Sequence, residues 1–279
     1  MTPENMARVT AGELLGSEML YQTEITDVVT DSRKIQYGCL FAAIRGERAD
    51  GHAFIAQTIR DGAGAILAEY LPEGCAAEKP VILVADVRKA LQELAAYYLD
   101  QMQIPAVGIV GSAGKTSTKE MVASVLSQKY RVLKTEGNFN NELGVPLTVF
   151  RIRAEHQIAV IEMGINHFGE MRRLAKIVRP DTVIMTNIGT AHLEFLRDRD
   201  GILRAKSEVF EYLRPDGAAI LNGDDDKLVT LQQINGKPPL FYAVDNAEAE
   251  VRAEHVELIG IESTRCEMIT PAQRFEVTI

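Results

Sequence analysis

Tryptophan is absent and aromatic residues make up only 6% of the chain. That is thin material for the stacking platforms that hold single-stranded nucleic acid. Positive charge is also in short supply: Lys and Arg number 30 against 39 Asp and Glu, a net charge of −9. A chain of that balance has no broad electrostatic reason to hold a phosphate backbone, so nucleic acid is excluded as a bulk partner. An anionic ligand must instead be met by a local cluster of donors. Cysteine is sparse as well. Cys39, Cys75 and Cys266 lie far apart with no CxxC pair, which excludes a disulfide scaffold and a cysteine-based zinc site. They read as small thiols in a reducing compartment. No apolar run approaches the ~18 residues that span a bilayer. The opening MTPENMARVTAGELLGSE has neither a basic start nor an apolar core, so it does not read as a secretory signal. The expectation is a cytoplasmic chain without membrane insertion.

What is present is ordinary globular material: 279 residues, 46% hydrophobic and 25% charged, long enough for about two domains. Residues 1–103 carry short apolar runs (TDVVTDSR, GCLFAAI, GAGAILAEY, VILVADV) separated by turn-rich pieces such as RGERADGH. This part closes with a helix from Asp86 to Met102. Val87, Ala90, Leu91, Leu94, Ala95, Tyr98, Leu99 and Met102 recur at helical spacing on one face, and Asp86 is a candidate N-cap. Pro105 disfavours helix at Ile104, which sets a domain boundary near residue 104.

Residues 104–279 alternate strand and helix, the pattern of a mostly parallel sheet flanked by helices. AVGIV, YRVLKT, QIAVIEMG, DTVIMTN and GAAILN are strand candidates, and their near-continuous apolar character implies burial on both faces. FGEMRRLAKIV and DRDGILRAKSEVFEYL read as helices. Beyond residue 240, four strand-like runs without intervening helices suggest an antiparallel extension of the sheet. The fold class expected is α/β, a small N-terminal domain followed by a central phosphate-loop domain.

The most informative stretch is Gly111-Ser112-Ala113-Gly114-Lys115-Thr116-Ser117-Thr118, between an apolar strand and an amphipathic helix. Glycines let backbone amides approach phosphate oxygens, and the helix N-terminus adds orphan N–H groups and a positive dipole end. Lys115 offers a point charge to the outer phosphates and Thr116 a hydroxyl for Mg²⁺. Ile109 stands where the longer GxxxxGK[ST] form requires glycine, so this is a shorter GxxGKT variant. Glu162 ends a hydrophobic strand, where a carboxylate can hold the bridging cation or simply cap or face solvent. His192, in TNIGTAHLE, follows another strand; alone, such a histidine is more often a surface residue than a ligand. Lys206 lies on a helix and by itself reads as a solvated lysine. Asn138, Asn140 and Asn141 in EGNFNNELGVP suit either a structural loop or hydrogen bonds to a polar substrate. LNGDDD, with Asn222 and Asp224 to Asp226, suits either capping or nucleotide recognition.

Taken together these residues resemble the Mur ligase family of ATP-dependent amide-bond-forming enzymes. DSRKIQYGCLFAAIRGERADGHAF is similar to the family's uridine-nucleotide-binding domain. GSAGKTSTKEM, GNFNNELGVPLT, AVIEMGINHFGEM, TNIGTAHLE, AKSEVF and LNGDDD follow in the family's order. The resemblance implies that Gly111 to Ser117 and Asn222 bind ATP, with Asn222 facing adenine. It implies that Thr116 and Glu162 ligate one Mg²⁺, that His192 ligates a second, and that Lys206 becomes a carbamylated ligand. Lys115, Lys206 and His192 would be the catalytic residues. Ser32 and Arg33 would contact the uridine diphosphate end of the substrate, with Asn138 and Asn141 also on the substrate. GNFNNELGVPLT points to a UDP-N-acetylmuramoyl-tripeptide and D-alanyl-D-alanine as the joined partners, on a monomer in the cytoplasm. Two other readings remain open: a family ligase with a different amino acceptor, or an ATP-binding module that forms no bond. Family members carry a further C-terminal domain, whereas this sequence stops at RFEVTI. The expectation is therefore a truncated chain that ligates poorly alone.

Overall fold

The computed structural model describes residues 1–46, 49–190, 193–261 and 263–279. Its contacts divide the chain into two compact units, Met1–Ile104 with Thr135–His156, and Pro105–Lys134 with Gln157–Ile279. The strand-rich start, the helix before residue 104 and the alternating second part all take the forms expected. Residues 135–156, expected in the second part, pack into the first unit.

The first unit opens with helix α1 (Pro3–Thr10) and strands β1 (Glu13–Leu15), β2 (Val28–Val29) and β3 (Leu40–Ala42). Helix α2 (Ile55–Arg60), β4 (Ala65–Ala68), β5 (Val81–Leu83) and α3 (Val87–Met102) follow. The sheet runs β1-β5-β4-β3-β2, with only the β1–β5 pair antiparallel. Phe41, Ile55, Ile59, Ile66 and Val81 form its core. In α3 the apolar stripe is buried as its spacing requires: Val87, Ala90, Leu91, Leu94, Ala95 and Leu99 face inward. The Asp86 carboxylate accepts from the Lys89 N–H at 3.0 Å and starts the helix, and Gln103 ends it in the left-handed region.

The second unit begins with β6 (Ala106–Val110), all five residues buried, then α4 (Lys115–Ser127) and β7 (Val132–Lys134). The chain then forms α5 (Gly144–Val149), which packs on α3 in the first unit. It returns with β8 (Ile158–Glu162), α6 (Glu170–Val178) and β9 (Thr182–Met185). Helices α7 (Leu193–Leu196) and α8 (Arg199–Ser207), then β10 (Ala218–Asn222) and β11 (Leu240–Ala243), come next. Last are β12 (Val251–Ile259), β13 (Ser263–Ile269) and β14 (Arg274–Thr278). The sheet order is β14-β13-β12-β11-β10-β9-β6-β8-β7. From β7 through β12 every pairing is parallel; the tail turns antiparallel only at the β12–β13 and β13–β14 pairs. The expected antiparallel extension is thus present, but it starts two strands later than residue 240. β6 lies between β8 and β9, so the segments after these three strands leave the same end of the sheet side by side.

The Asp86→Ala variant should lose about 1 kcal/mol of stability through the missing N-cap. Urea unfolding against the parent chain checks this, and an Asp86→Asn variant, which keeps a capping oxygen, should avoid most of the loss.

Candidate phosphate and cation site

The loop after β6 is shaped by a steric constraint. Gly111 has φ +154°, and a Cβ there would lie 1.8 Å from Thr186 Oγ1 in the segment after β9. Only glycine lets the two strand ends approach this closely. Gly114, at φ +76°, is the N-cap of α4 and turns the chain into the helix. Two residues that sequence reasoning passed over brace the turn. Thr186 Oγ1 donates to Ala113 O at 2.6 Å, and Asn187 Oδ1 accepts from the Ala113 N–H at 2.9 Å. The Ser112 N–H donates to Asn187 O at 3.0 Å. Their signal was the polar TN pair closing the VIM strand, which becomes meaningful only once β9 is known to neighbour β6.

With the loop fixed, four candidate side chains converge. Lys115 opens α4, and its ammonium folds back to donate to Gly111 O at 3.0 Å. Burial pushes its pKa below the ordinary lysine value, opposed by the Glu162 charge. Thr116 Oγ1 donates to Glu162 Oε2 at 3.0 Å. Glu162 ends β8 and is 2% exposed, so the solvated reading of that residue fails. Lys206 also fails its local reading as a solvated helix lysine. It is 3% exposed, and its ammonium donates to Gly111 O at 2.9 Å. Burial, with the neighbouring Lys115 charge second, lowers its pKa to about 7. A lysine poised there carries a substantial neutral amine fraction near neutrality, the form that reacts with electrophiles.

The remaining residues separate. Ser117 is exposed on the first turn of α4. Asn222 uses both ends of its amide within the protein: Nδ2 donates to Thr186 O at 3.0 Å and Oδ1 accepts from the Asp224 N–H at 2.9 Å. It therefore ties the end of β10 to the brace of the phosphate loop. Asp225 adds to this tie by accepting from the Ile188 N–H at 2.8 Å. His192 lies outside the described residues. In the first unit, Ser32 and Arg33 form a 3₁₀ turn after β2, where the exposed Arg33 makes a two-pronged pair with Asp31. Asn141 Oδ1 accepts from the Leu143 and Gly144 N–H groups at 3.2 and 2.8 Å, which fits the structural-loop reading of the Asn cluster. Asn138 and Asn141 also line a groove of about 320 Å³ with Thr30, Phe139, Leu143, Gly144 and Leu147.

Magnesium and a polyphosphate fit the second unit's residues. Thr116 and Glu162 supply the hard oxygen donors that Mg²⁺ prefers. The buried Ser112 Oγ has no hydrogen-bond partner among the described residues, an unmet demand that a phosphate oxygen would satisfy. The first-turn N–H groups of α4 have no intrahelical acceptor by helix geometry.

The Mur ligase middle domain matches residues 109–279, and the Mur ligase family catalytic domain matches residues 24–99. The chain belongs to the Mur ligase family. Within it, the UDP-N-acetylmuramoyl-tripeptide–D-alanyl-D-alanine ligase of Bacillus subtilis is 38% identical over 94% of this chain. Among solved structures, MurF from Acinetobacter baumannii superposes with a TM-score of 0.90 at 37% identity over the whole chain. The MurF ligase of Thermotoga maritima, solved in complex with ADP, gives 0.82 at 30% identity over 94% of it. The chain spans 58% to 60% of the length of these Mur ligases. The assignment to the family and its α/β fold agrees with the ordered motifs in the sequence.

Gly111→Ala should displace the loop and cost more than the roughly 1 kcal/mol typical of a point substitution, read by denaturant unfolding. A pH series tests Lys206. Its folded pKa of about 7 lies below the ordinary 10.5. Below pH 7 both folded and unfolded states hold the proton, and the burial cost is felt in full. Between those values the unfolded chain binds the extra proton, so stability rises with pH; above them the cost is gone. The stability difference between the parent chain and Lys206→Met should therefore change over that window in CO₂-free buffer. A flat difference would contradict a buried, depressed lysine.

Proposed function

We propose that this chain carries the substrate-nucleotide and ATP-binding parts of an ATP-dependent amide ligase of peptidoglycan precursor synthesis. The first unit, residues 1–104 with 135–156, holds the uridine-nucleotide end of the substrate, and the second, residues 105–134 with 157–279, holds ATP. The acyl substrate is a UDP-N-acetylmuramoyl-tripeptide and the amino substrate is D-alanyl-D-alanine, in the cytoplasm. The observation that carries the reading is the convergence of Lys115, Lys206 and the Thr116–Glu162 pair at the carboxyl ends of β6 and β8.

A peptide carboxylate is a poor acceptor for an amine because oxide is a poor leaving group. The γ-phosphoryl of ATP passes to that carboxylate, giving an acyl phosphate and ADP. The free amine of the dipeptide attacks the acyl carbon, and the tetrahedral adduct collapses with loss of phosphate. The first step brings two anions together, and the residues of the second unit answer that repulsion. Lys115 leaves Gly111 O to pair with the outer phosphates, and the α4 N-terminus adds its orphan N–H groups. A divalent cation between Thr116 and Glu162 would add charge neutralisation on the phosphate oxygens. Lys206, neutral for a large fraction of the time, is suited to take up CO₂ as a carbamate. That step joins its nitrogen to carbon, releases a proton and replaces a cation with an anionic oxygen ligand. Asn222, His192, Ser32, Arg33, Asn138 and Asn141 keep the roles that the family resemblance implies.

Calorimetry with Mg²⁺ and a non-hydrolysable ATP analogue should register binding by the chain. Lys115→Ala should weaken it at least about tenfold, the size of a lost charged hydrogen bond; unchanged binding would sink the assignment of the loop. Isotope-labelled bicarbonate should give a carbamate carbonyl resonance in the parent chain that disappears in Lys206→Ala.

A further inference from the structure

Lys119 has no place in the scheme above, yet it is 1% exposed and ranks among the largest fully buried side chains. Lysine is almost never buried to that degree without a partner. It lies one turn beyond Lys115 on α4, and two carboxylates face its ammonium. Glu120 Oε1 is 3.1 Å away and Glu162 Oε2 is 3.8 Å away. Distance alone favours Glu120, but environment reverses the ranking. Glu120 is 47% exposed and also pairs with Lys134, and a solvent-screened pair of that kind contributes little. Glu162 is 2% exposed, where removal of a cation from a carboxylate is strongly felt. The oxygen that Lys119 faces is the same one that accepts the Thr116 hydroxyl. Thr116 and Lys119 are three residues apart, neighbours on one helix face. One face of α4 therefore grips Glu162 Oε2 with both a hydroxyl and an ammonium.

We propose that Lys119 is a positioning residue that anchors the Glu162 carboxylate beside Thr116 and so sets the divalent-cation affinity of the phosphate loop. The anchoring stands on the geometry alone; its effect on the cation rests on the Mg²⁺–nucleotide reading above. Lys119 itself touches neither nucleotide nor substrate in this scheme. It acts through Glu162, as outer partners of ligating groups do elsewhere.

Two measurements on the same four proteins decide the matter: the parent chain, Lys119→Met, Glu162→Gln and the double variant. In denaturant unfolding, each single change should lower the midpoint, and the double variant should recover most of the loss, because neither partner is then left buried alone. Glu120→Gln should shift the midpoint little. Additive losses in the double variant, or a larger effect from Glu120→Gln, would overturn the pairing with Glu162. In calorimetry with an ATP analogue, Lys119→Met should raise the half-saturating Mg²⁺ concentration about 10- to 100-fold. Nucleotide affinity in EDTA should be unchanged, and Lys119→Met should add nothing in the Glu162→Gln background. Equal effects in both backgrounds would show a merely structural lysine. Lys119→Gln, which keeps a donor, should fall between the parent and Lys119→Met and serves if the methionine variant does not fold. If the parent chain binds no Mg²⁺–nucleotide, the ATP reading fails while the unfolding cycle still decides the anchoring.

Discussion

One backbone carbonyl organises the second unit's chemistry. Gly111 O accepts hydrogen bonds from two lysine side chains, Lys115 at 3.0 Å and Lys206 at 2.9 Å. A carbonyl with two lone pairs can serve both, but it places two ammonium groups side by side in a dry environment. That crowding contributes to the depressed pKa of Lys206. The arrangement is possible because residue 111 has no Cβ to collide with Thr186. Steric freedom at one position thus becomes an electrostatic property of a lysine that is distant in sequence.

The sheet supplies everything else by adjacency. β6 carries the loop, β8 delivers Glu162 and β9 delivers Thr186 and Asn187, and these are immediate neighbours in the strand order. β10 extends the same logic, since Asn222 reaches back to Thr186 O and so couples the outer strand end to the brace. No single loop builds the site. It is assembled from four strand termini that a parallel sheet is obliged to present on one edge.

The legibility of the sequence follows from which forces are local. Helix α3 was readable because its stripe and its Asp86 cap are set by spacing alone. The phosphate loop was readable because glycine, lysine and hydroxyl are consecutive. Lys206 was not: on a helix of its own it looks solvated, and only the packing of α8 against the loop buries it. The family resemblance, resting on motif order, supplied its suggested role where local chemistry could not. Thr186, Asn187 and Lys119 escaped for the same reason, since their partners are contributed by neighbouring strands. The assignment of residues 135–156 to the second part also failed on this ground. The segment looks continuous with β7, yet its helix α5 packs on α3.

That excursion has a consequence for biosynthesis. The Tyr98 hydroxyl donates to Ile152 O at 2.6 Å, and Gln92 reaches Glu142 O at 3.3 Å. The surface of α3 that receives α5 is therefore incomplete while the ribosome has made only the first 104 residues. The intervening β6, α4 and β7 must emerge before that surface is covered. The N-terminal unit is complete only after the first stretch of its neighbour exists, so the two cannot mature strictly one after the other.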